Sequence, residues 1–282
     1  MSNRNQKKGF LEELNIAVKN LKVAGEREFV VIVPSFNNEV YVERNLTSIL
    51  SQEYDNYRVI YIDDASTDTT YEKVKELVAD KSNVELIRNE INLGALHNLY
   101  HAIHSCSDEE IVLTVDGDDW LAHSKVLQEL NKYYANHDVW LTYGQYLHYP
   151  SNTPGICAPI EKKILKQGLV RAIKWQYSHL KTFYASLFKK IRKEDLTAEG
   201  EFFHVASDLA MMFPMLEMAR EHAYFIPDIL YIYNYENPLS DIRTKLFQQV
   251  NVDRYIRTLP VYESIPSLKR KKFTADSTLG KL

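Results

Sequence analysis

Asp116, Asp118 and Asp119 place three carboxylates in four positions, within Val115-Asp116-Gly117-Asp118-Asp119-Trp120. Like charges this close repel, and the arrangement is tolerable where a divalent cation or basic partners neutralise it. Carboxylate oxygens suit Mg²⁺ or Mn²⁺, and Mg²⁺ commonly takes one or two carboxylates together with substrate phosphates. Gly117 lets the backbone approach a ligand closely. The plainer reading is a solvated acidic turn in which Asp119 caps the next helix. A second acidic string, Ile62-Asp63-Asp64-Ala65-Ser66-Thr67-Asp68, also has a plain reading: Asp63 ends a strand, and Ser66 or Asp68 caps a helix. In Val33-Pro34-Ser35-Phe36-Asn37 the aromatic ring can stack on a nucleobase while Ser35 or Asn37 hydrogen-bonds it. An ordinary turn is the alternative there. Asp208 follows Ser207 at the start of an apolar helix, where N-capping is enough to account for it.

These groups need elements to position them. Phe29 to Val33 is a β-branched run stopped by Pro34, the pattern of a strand buried on both faces. Val42, Leu46, Ile49 and Leu50 form a helical stripe. Tyr57 to Ile62 reads as strand, Val74, Leu77 and Val78 as helix, Val84 to Ile87 as strand and Leu93 to Ile103 as helix. Ile111 to Val115 is strand, a helix runs from about Ser124 to Tyr134, and Val139 to Tyr143 is strand again. Strands separated by helices predict an α/β fold with a mostly parallel central sheet flanked by helices. Ligands in such folds bind beyond the carboxyl ends of the strands, where both acidic clusters fall.

After Tyr149 the alternation stops. Residues 150–166 read as an irregular loop, Leu169 to Tyr177 as helix and Lys181 to Phe188 as extended. Ser207 to Glu221 is a strong helix whose Met211, Met212, Met215 and Met218 read as core filler, and Tyr224 to Tyr235 reads as strand. An amphipathic helix packed on the outside of the domain is expected within residues 1–25, with peripheral membrane contact as the minor alternative because Lys7, Lys8, Lys19 and Lys22 flank its apolar face. Periodicity is lost from Pro260, and Lys269 to Lys272 form a basic run, so 260–282 reads as a flexible basic tail.

Composition narrows the function classes. The chain has 282 residues, 45% apolar and 26% charged, and a formal net charge of −4, which argues against a nucleic-acid-coating protein. Two cysteines, Cys106 and Cys157, provide neither a disulfide framework nor a four-ligand zinc site. Apolar runs fall far short of the roughly 18 residues of a membrane span, and no signal-peptide core follows the polar N-terminus. The expectation is a cytoplasmic chain without a transmembrane segment. The oligomeric state is not legible. Nineteen tyrosines suit carbohydrate or base-stacking clefts, although half-buried packing explains them equally well.

The run VIVPSFNNEVYVERNLTSILSQEYDNYRVIYIDDASTDTT, followed by NEINLGALHN and LTVDGDDWL, resembles glycosyltransferase family 2 over about residues 29–145. HLKTFYASLF, ASDLAMMFPMLEMA and IPDILYIYNYENPLSD extend the likeness to about residue 242. The resemblance implies a GT-A (Rossmann-like) fold with a nucleotide-sugar-binding half at 26–145 and a smaller helical and extended acceptor-side half at 146–259. It implies a UDP-sugar donor, Mn²⁺ or Mg²⁺, inversion at the anomeric carbon, and a carbohydrate or other hydroxyl-bearing acceptor. On this likeness Pro34, Ser35 and Phe36 line the nucleoside and Asp64 accepts a hydrogen bond from the uracil ring nitrogen. Asp118 and Asp116 ligate the metal, and Asp119 ligates it or holds donor hydroxyls. Asp208 takes the position of the general base.

One departure stands out. Many relatives place an arginine near the diphosphate, whereas here the run is shortened to Asn92-Leu-Gly94-Ala-Leu-His97-Asn98. Asn92, Gly94 and His97 are carried into the donor-binding set, and His97, Lys181 or Arg88 are the alternatives for the missing positive charge. The QxxRW string of processive synthases is absent, which argues against long-chain polymer synthesis. His179 and His204 rank below the carboxylates as site residues, and Asn234 and Asn237 are weak candidates for a further metal or diphosphate contact. A nucleotidyltransferase would require a Gly-rich basic loop after the first strand, and Pro34 to Glu39 contains none. A non-catalytic nucleotide-sugar- or glycan-binding protein on the same fold remains the second reading.

Overall fold

The first strand, β1 (Phe29–Ser35), is buried along its whole length and pairs in parallel on both edges. That is why Phe29 to Val33 can be an unbroken apolar run: no position faces water. The structure, a computed structural model, describes residues 26–135, 138–238 and 240–270, with the side chains of 241 and 242 left aside. The expected helix in 1–25 and the last part of the expected tail, 271–282, lie outside the described residues.

The strands that follow are β2 (Tyr57–Asp63), β3 (Val84–Arg88), β4 (Ile111–Thr114), β5 (Trp120–Leu121), β6 (Leu141–Tyr149), β7 (Thr153–Pro154), β8 (Thr182–Tyr184), β9 (Thr197–Ala198), β10 (Glu201–Phe202) and β11 (Ala223–Asn234). Among the described residues, nine of them form one sheet in the order β3-β2-β1-β4-β8-β6-β11-β5, with β7 paired to β6. The β1, β2, β3 and β4 ladders are parallel. β8 enters antiparallel between β4 and β6, and β11 then runs parallel to β6. The expected α/β architecture is present, with an antiparallel insertion in its second half.

The helices are α1 (Val42–Leu50), α2 (Thr70–Leu77), α3 (Ala95–Ser105), α4 (Val126–Tyr134), α5 (Lys162–Gln167), α6 (Ala185–Phe188), α7 (Ser207–Ala219), α8 (Asp241–Thr244) and α9 (Leu246–Thr258). α1 buries Val42, Leu46 and Ile49 at helical spacing, and α3 buries Leu96, Leu99, Ala102 and Ile103. α7 is buried all round from Leu209 to Ala219, and its four methionines are core.

Three expectations are corrected here. The helix expected over Leu169–Tyr177 shrinks to a 3₁₀ turn at Val170–Ala172, because Trp175 and Tyr177 leave the helical path to pack their rings against Phe213. The loop expected at 150–166 contains the short helix α5, ended by Gly168 in the left-handed region at φ +67°. Residues 260–270 form no helix or strand, yet they are held to the body. The Tyr262 N–H donates to Glu217 Oε2 at 3.0 Å, the Ile265 N–H donates to the Met218 carbonyl at 3.2 Å, and Leu268 is buried. Lost periodicity there marks an irregular strap, not loss of packing. Among the described residues no helix is long and apolar enough to cross a membrane.

Candidate active site

At the carboxyl end of β1 the backbone of Pro34 and Ser35 receives two neighbouring loops. The Gly117 N–H donates to the Pro34 carbonyl (3.2 Å), and the Asp64 N–H donates to the Ser35 carbonyl (2.8 Å). Ser35 is buried, and its Oγ accepts from Tyr61 Oη (2.9 Å) and Asn38 Nδ2 (3.0 Å). Phe36 is 42% exposed, open to a stacking partner. A Cβ at Gly117 would stand 2.5 Å from Ser35 Oγ and 2.6 Å from Asn38 Nδ2, so glycine is required for this close approach. Ser66 does not cap α2: its Oγ accepts from the Asn37 N–H, and Asp68 receives the Thr70 N–H instead.

Asp64 is almost fully buried. Its carboxylate accepts from Asn89 Nδ2 (2.7 Å), the Leu93 N–H (2.9 Å) and the Gly94 N–H (2.8 Å), tying down the loop that enters α3. Gly94 has φ +84°, which favours glycine, and Asn92 is exposed on the same loop. His97 packs its ring against His101 (4.4 Å) and Phe202 (5.3 Å). Arg88 pairs with Asp63 (3.5 Å) and Glu72 (3.6 Å) and lies over the Tyr71 ring.

The 116–119 loop is held from three sides. Asn45 Nδ2, from α1, donates to the carbonyls of Asp116 (3.0 Å) and Asp119 (2.7 Å). Tyr231, from β11, donates its hydroxyl to Asp119 Oδ2 (2.7 Å) and accepts the Asp116 N–H (3.2 Å). The end of β11 supplies the Asn234 N–H to Asp119 Oδ1 (2.7 Å), and the turn after it supplies Asn237 Nδ2 to Asp118 Oδ2 (2.7 Å). Asp119 is therefore engaged with β11 and not with capping α4. Burial, then the neighbouring Asp118 and Asp116, hold its carboxyl well above the usual carboxylate range.

β8 brings Lys181 and His179 to the same place. Lys181 is 2% exposed, and its Nζ donates to Asp208 Oδ1 and lies 3.3 Å from His179 Nδ1. Burial alone would push the ammonium down, but Asp208 and Asp116 outweigh it and raise Lys181 above its ordinary value. Burial, with Lys181 beside it, pushes His179 down to about 3, so its ring is neutral and stacks on Tyr231 at 4.5 Å. Asp208 is the second residue of α7, whose N-cap position is Ala206, so it is not the N-cap. Burial opposes its ionisation, but the Lys181 charge beside it holds its carboxyl below the usual range. Its side chain is 31% exposed, open to a ligand.

One carboxylate oxygen each from Asp116 and Asp119 and a ring nitrogen of His179 lie within 4.8 Å of one another. Two carboxylates and a neutral imidazole are a donor set that fits a divalent cation, and the upward pressure on Asp119 marks the surplus negative charge such an ion would relieve. Asp118 is outside this converging set and faces Asn237 at the half-buried rim. Tyr231 and Asn45, which bind the loop together, carry no motif of their own. Tyr231 lies inside an aromatic strand pattern that marks β11 but not its partner 112 residues away.

The Glycosyl transferase family 2 model matches residues 30–196, more than half of the chain. The chain belongs to this family. A curated relative described as an uncharacterized glycosyltransferase of Haemophilus influenzae is 30% identical over 117 residues, 42% of this chain and 36% of the relative. The chain spans less than half the length of the Haemophilus influenzae relatives it matches. Among solved structures, Staphylococcus aureus TarS in complex with UDP-GlcNAc superimposes with a TM-score of 0.57 at 19% identity, over 83% of this family 2 chain and 68% of that one. The mannosyltransferase PcManGT of Pyrobaculum calidifontis, in complex with GDP-Man and Mn²⁺, gives 0.58 at 19% identity, over 90% and 72%. At these identities the likeness establishes the GT-A fold.

Proposed function

We propose that this chain transfers a sugar from a UDP-sugar to a hydroxyl group of an acceptor, with inversion and with Mn²⁺ or Mg²⁺. The observation that carries this reading is the Lys181–Asp208 pair set against the Asp116, Asp119 and His179 cluster at the carboxyl ends of the strands. In this reading residues 26–145 hold the donor and 146–259 the acceptor. Phe36 offers its exposed ring to the base. A carboxylate has about four lone-pair sites, and Asp64 has spent three on the 89–94 loop, leaving one for a ring N–H of uracil.

Asp116 and Asp119, with His179 or Asp118 completing the set, would hold the cation. When bound, it would offset the charge that builds on the leaving diphosphate. Asp208, ionised and accessible, takes the proton of the attacking hydroxyl as the anomeric carbon passes through an oxocarbenium-like state. Lys181 keeps Asp208 ionised and aimed. Tyr146, His148, Tyr233 and Tyr235 form a run of rings along β6 and β11 with centroids 5.1–6.5 Å apart, and provide a surface for the acceptor.

UDP release from UDP-sugars in the presence of Mn²⁺ tests the reading. Asp208→Asn should lower transfer by at least about 10²-fold with UDP affinity kept. It should also cost about 1.5–3 kcal/mol of stability, because the amide no longer answers the buried Lys181 charge. Asp116→Asn should remove the metal-dependent gain in UDP affinity. Turnover of Asp208→Asn within a few-fold of wild type, or equal UDP affinity with Mn²⁺ and with chelator, would overturn it.

A further inference from the structure

α9 begins with two turns that stand away from the body. Leu246 is 57% exposed, Phe247 80% and Val250 40%, a concentration of large apolar side chains that no motif of the active site explains. At helical spacing Leu246 and Val250 fall on one line that Arg254 continues, with Phe247 beside them. The far end of the helix is anchored. Ile256 is buried, the Arg257 Nη1 donates to the Ile173 carbonyl at 3.0 Å, and Asp253 accepts from Arg257 Nε at 2.7 Å.

Charge favours one kind of partner. Residues 241–258 carry four basic side chains, Arg243, Lys245, Arg254 and Arg257, against the acidic Asp241 and Asp253, in a chain whose net charge is −4. Asp253 is already paired with Arg257. Arg243, Lys245 and Arg254 are exposed beside the apolar group. A short apolar face ringed by arginine and lysine matches the boundary of an anionic bilayer, where apolar side chains enter the acyl region and basic ones meet headgroups. The patch also adjoins the site. Arg243 Nη2 donates to the Tyr235 carbonyl at 2.7 Å, and Tyr235 lies between Asn234, which binds Asp119, and Asn237, which binds Asp118.

We propose that the first turns of α9 are a membrane-seating surface that docks the chain on anionic lipid, with the rim of the acidic cleft carried to the bilayer. Seating there would favour acceptors presented at a lipid surface. This consequence rests on the transferase reading, while the seating itself does not.

The test is co-sedimentation of the full chain with sucrose-loaded vesicles, either equal parts phosphatidylglycerol and phosphatidylcholine or phosphatidylcholine alone. The wild type should pellet with the anionic vesicles and bind on the order of tenfold more weakly to the neutral ones or in high salt. The combined variant L246E, F247E and V250E, with unchanged melting temperature and UDP affinity, should lose at least about tenfold in partitioning. As a reading independent of any loss, Phe247→Trp should bind as wild type does and blue-shift its emission on anionic vesicles. A triple variant that pellets like the wild type, a wild type that stays in the supernatant, or a tryptophan at 247 that does not shift would overturn the proposal. So would a wild-type dimer in light scattering that the triple variant converts to monomer, since the face would then belong to a second copy. These readouts measure lipid binding and not turnover, so a failed transferase reading leaves them interpretable.

Discussion

Lys181, buried and paired with Asp208, is the residue on which the proposed chemistry turns. A buried ammonium between Asp208 and the Asp116 side of the acidic loop lowers the proton affinity of the carboxylate proposed as base. A base works when deprotonated, so activity falls as pH drops through its folded pKa. Lys181→Met removes the cation and lets burial push Asp208 up. The acid limb of the kcat/KM profile should therefore move to higher pH in the variant, measured with the UDP-release assay across a pH series. An unmoved limb would mean that another group sets it. The stability contribution of the pair has the same sign. It is present above the ordinary carboxylate pKa and lost as pH falls through the depressed folded value. Asp208 reads from its position as a cap and from the family resemblance as a base, and the helix start decides against the cap, because the N-cap position is Ala206. His97, by contrast, stands in the motif position of a missing arginine but turns to an aromatic neighbourhood, a direction that spacing does not encode.

At the scale of the element, the 116–119 loop shows how little freedom the site has. α1 holds it through Asn45, β11 through Tyr231 and Asn234, and β1 through the Gly117 contact. Gly117→Ala would force its Cβ against the Ser35 hydroxyl, whose own partners are Tyr61 and Asn38. Overpacking of this kind costs typically 1–3 kcal/mol. A displaced loop should also weaken Mn²⁺-dependent UDP binding by roughly tenfold, a factor equal to about 1.4 kcal/mol. Calorimetry and thermal unfolding on the same sample check both, and a variant with wild-type affinity would show that the loop does not meet the donor. The expected Leu169–Tyr177 helix is absent because Trp175 and Tyr177, two positions apart, both pack on Phe213, and a helix does not put such residues on one face.

The whole molecule is joined across its second half by a buried ion pair. Arg171 Nε and Nη2 meet the two oxygens of Glu217 at 2.6 and 3.0 Å, while Arg171 Nη1 reaches the Ile256 carbonyl of α9 and Glu217 receives the Tyr262 N–H of the strap. Both side chains are nearly inaccessible to water. Arg171→Met leaves Glu217 charged and unpaired, which should cost about 3–5 kcal/mol in denaturant unfolding. Replacing both, as Arg171→Met with Glu217→Leu, should recover much of that, because the desolvation penalty disappears with the charges. Equal losses in the single and double variants would place the stabilisation elsewhere.

The amino-acid sequence by itself determined the alternation of strands and helices from Phe29 to Tyr143 and the placement of Asp64 and Asp116–Asp119 at strand ends, because burial on both faces and helical periodicity are local patterns. It also determined family membership, through motifs whose residues are neighbours in the chain. That β8 enters antiparallel between β4 and β6, and so delivers His179 and Lys181 to the 116–119 loop far earlier in the chain, is a fact of the packed sheet. That packing alone paired Asp208 with Lys181 and Asp119 with Tyr231, and left the first turns of α9 uncovered. Those outcomes depend on which strands become neighbours, and no short-range spacing in the chain records that order.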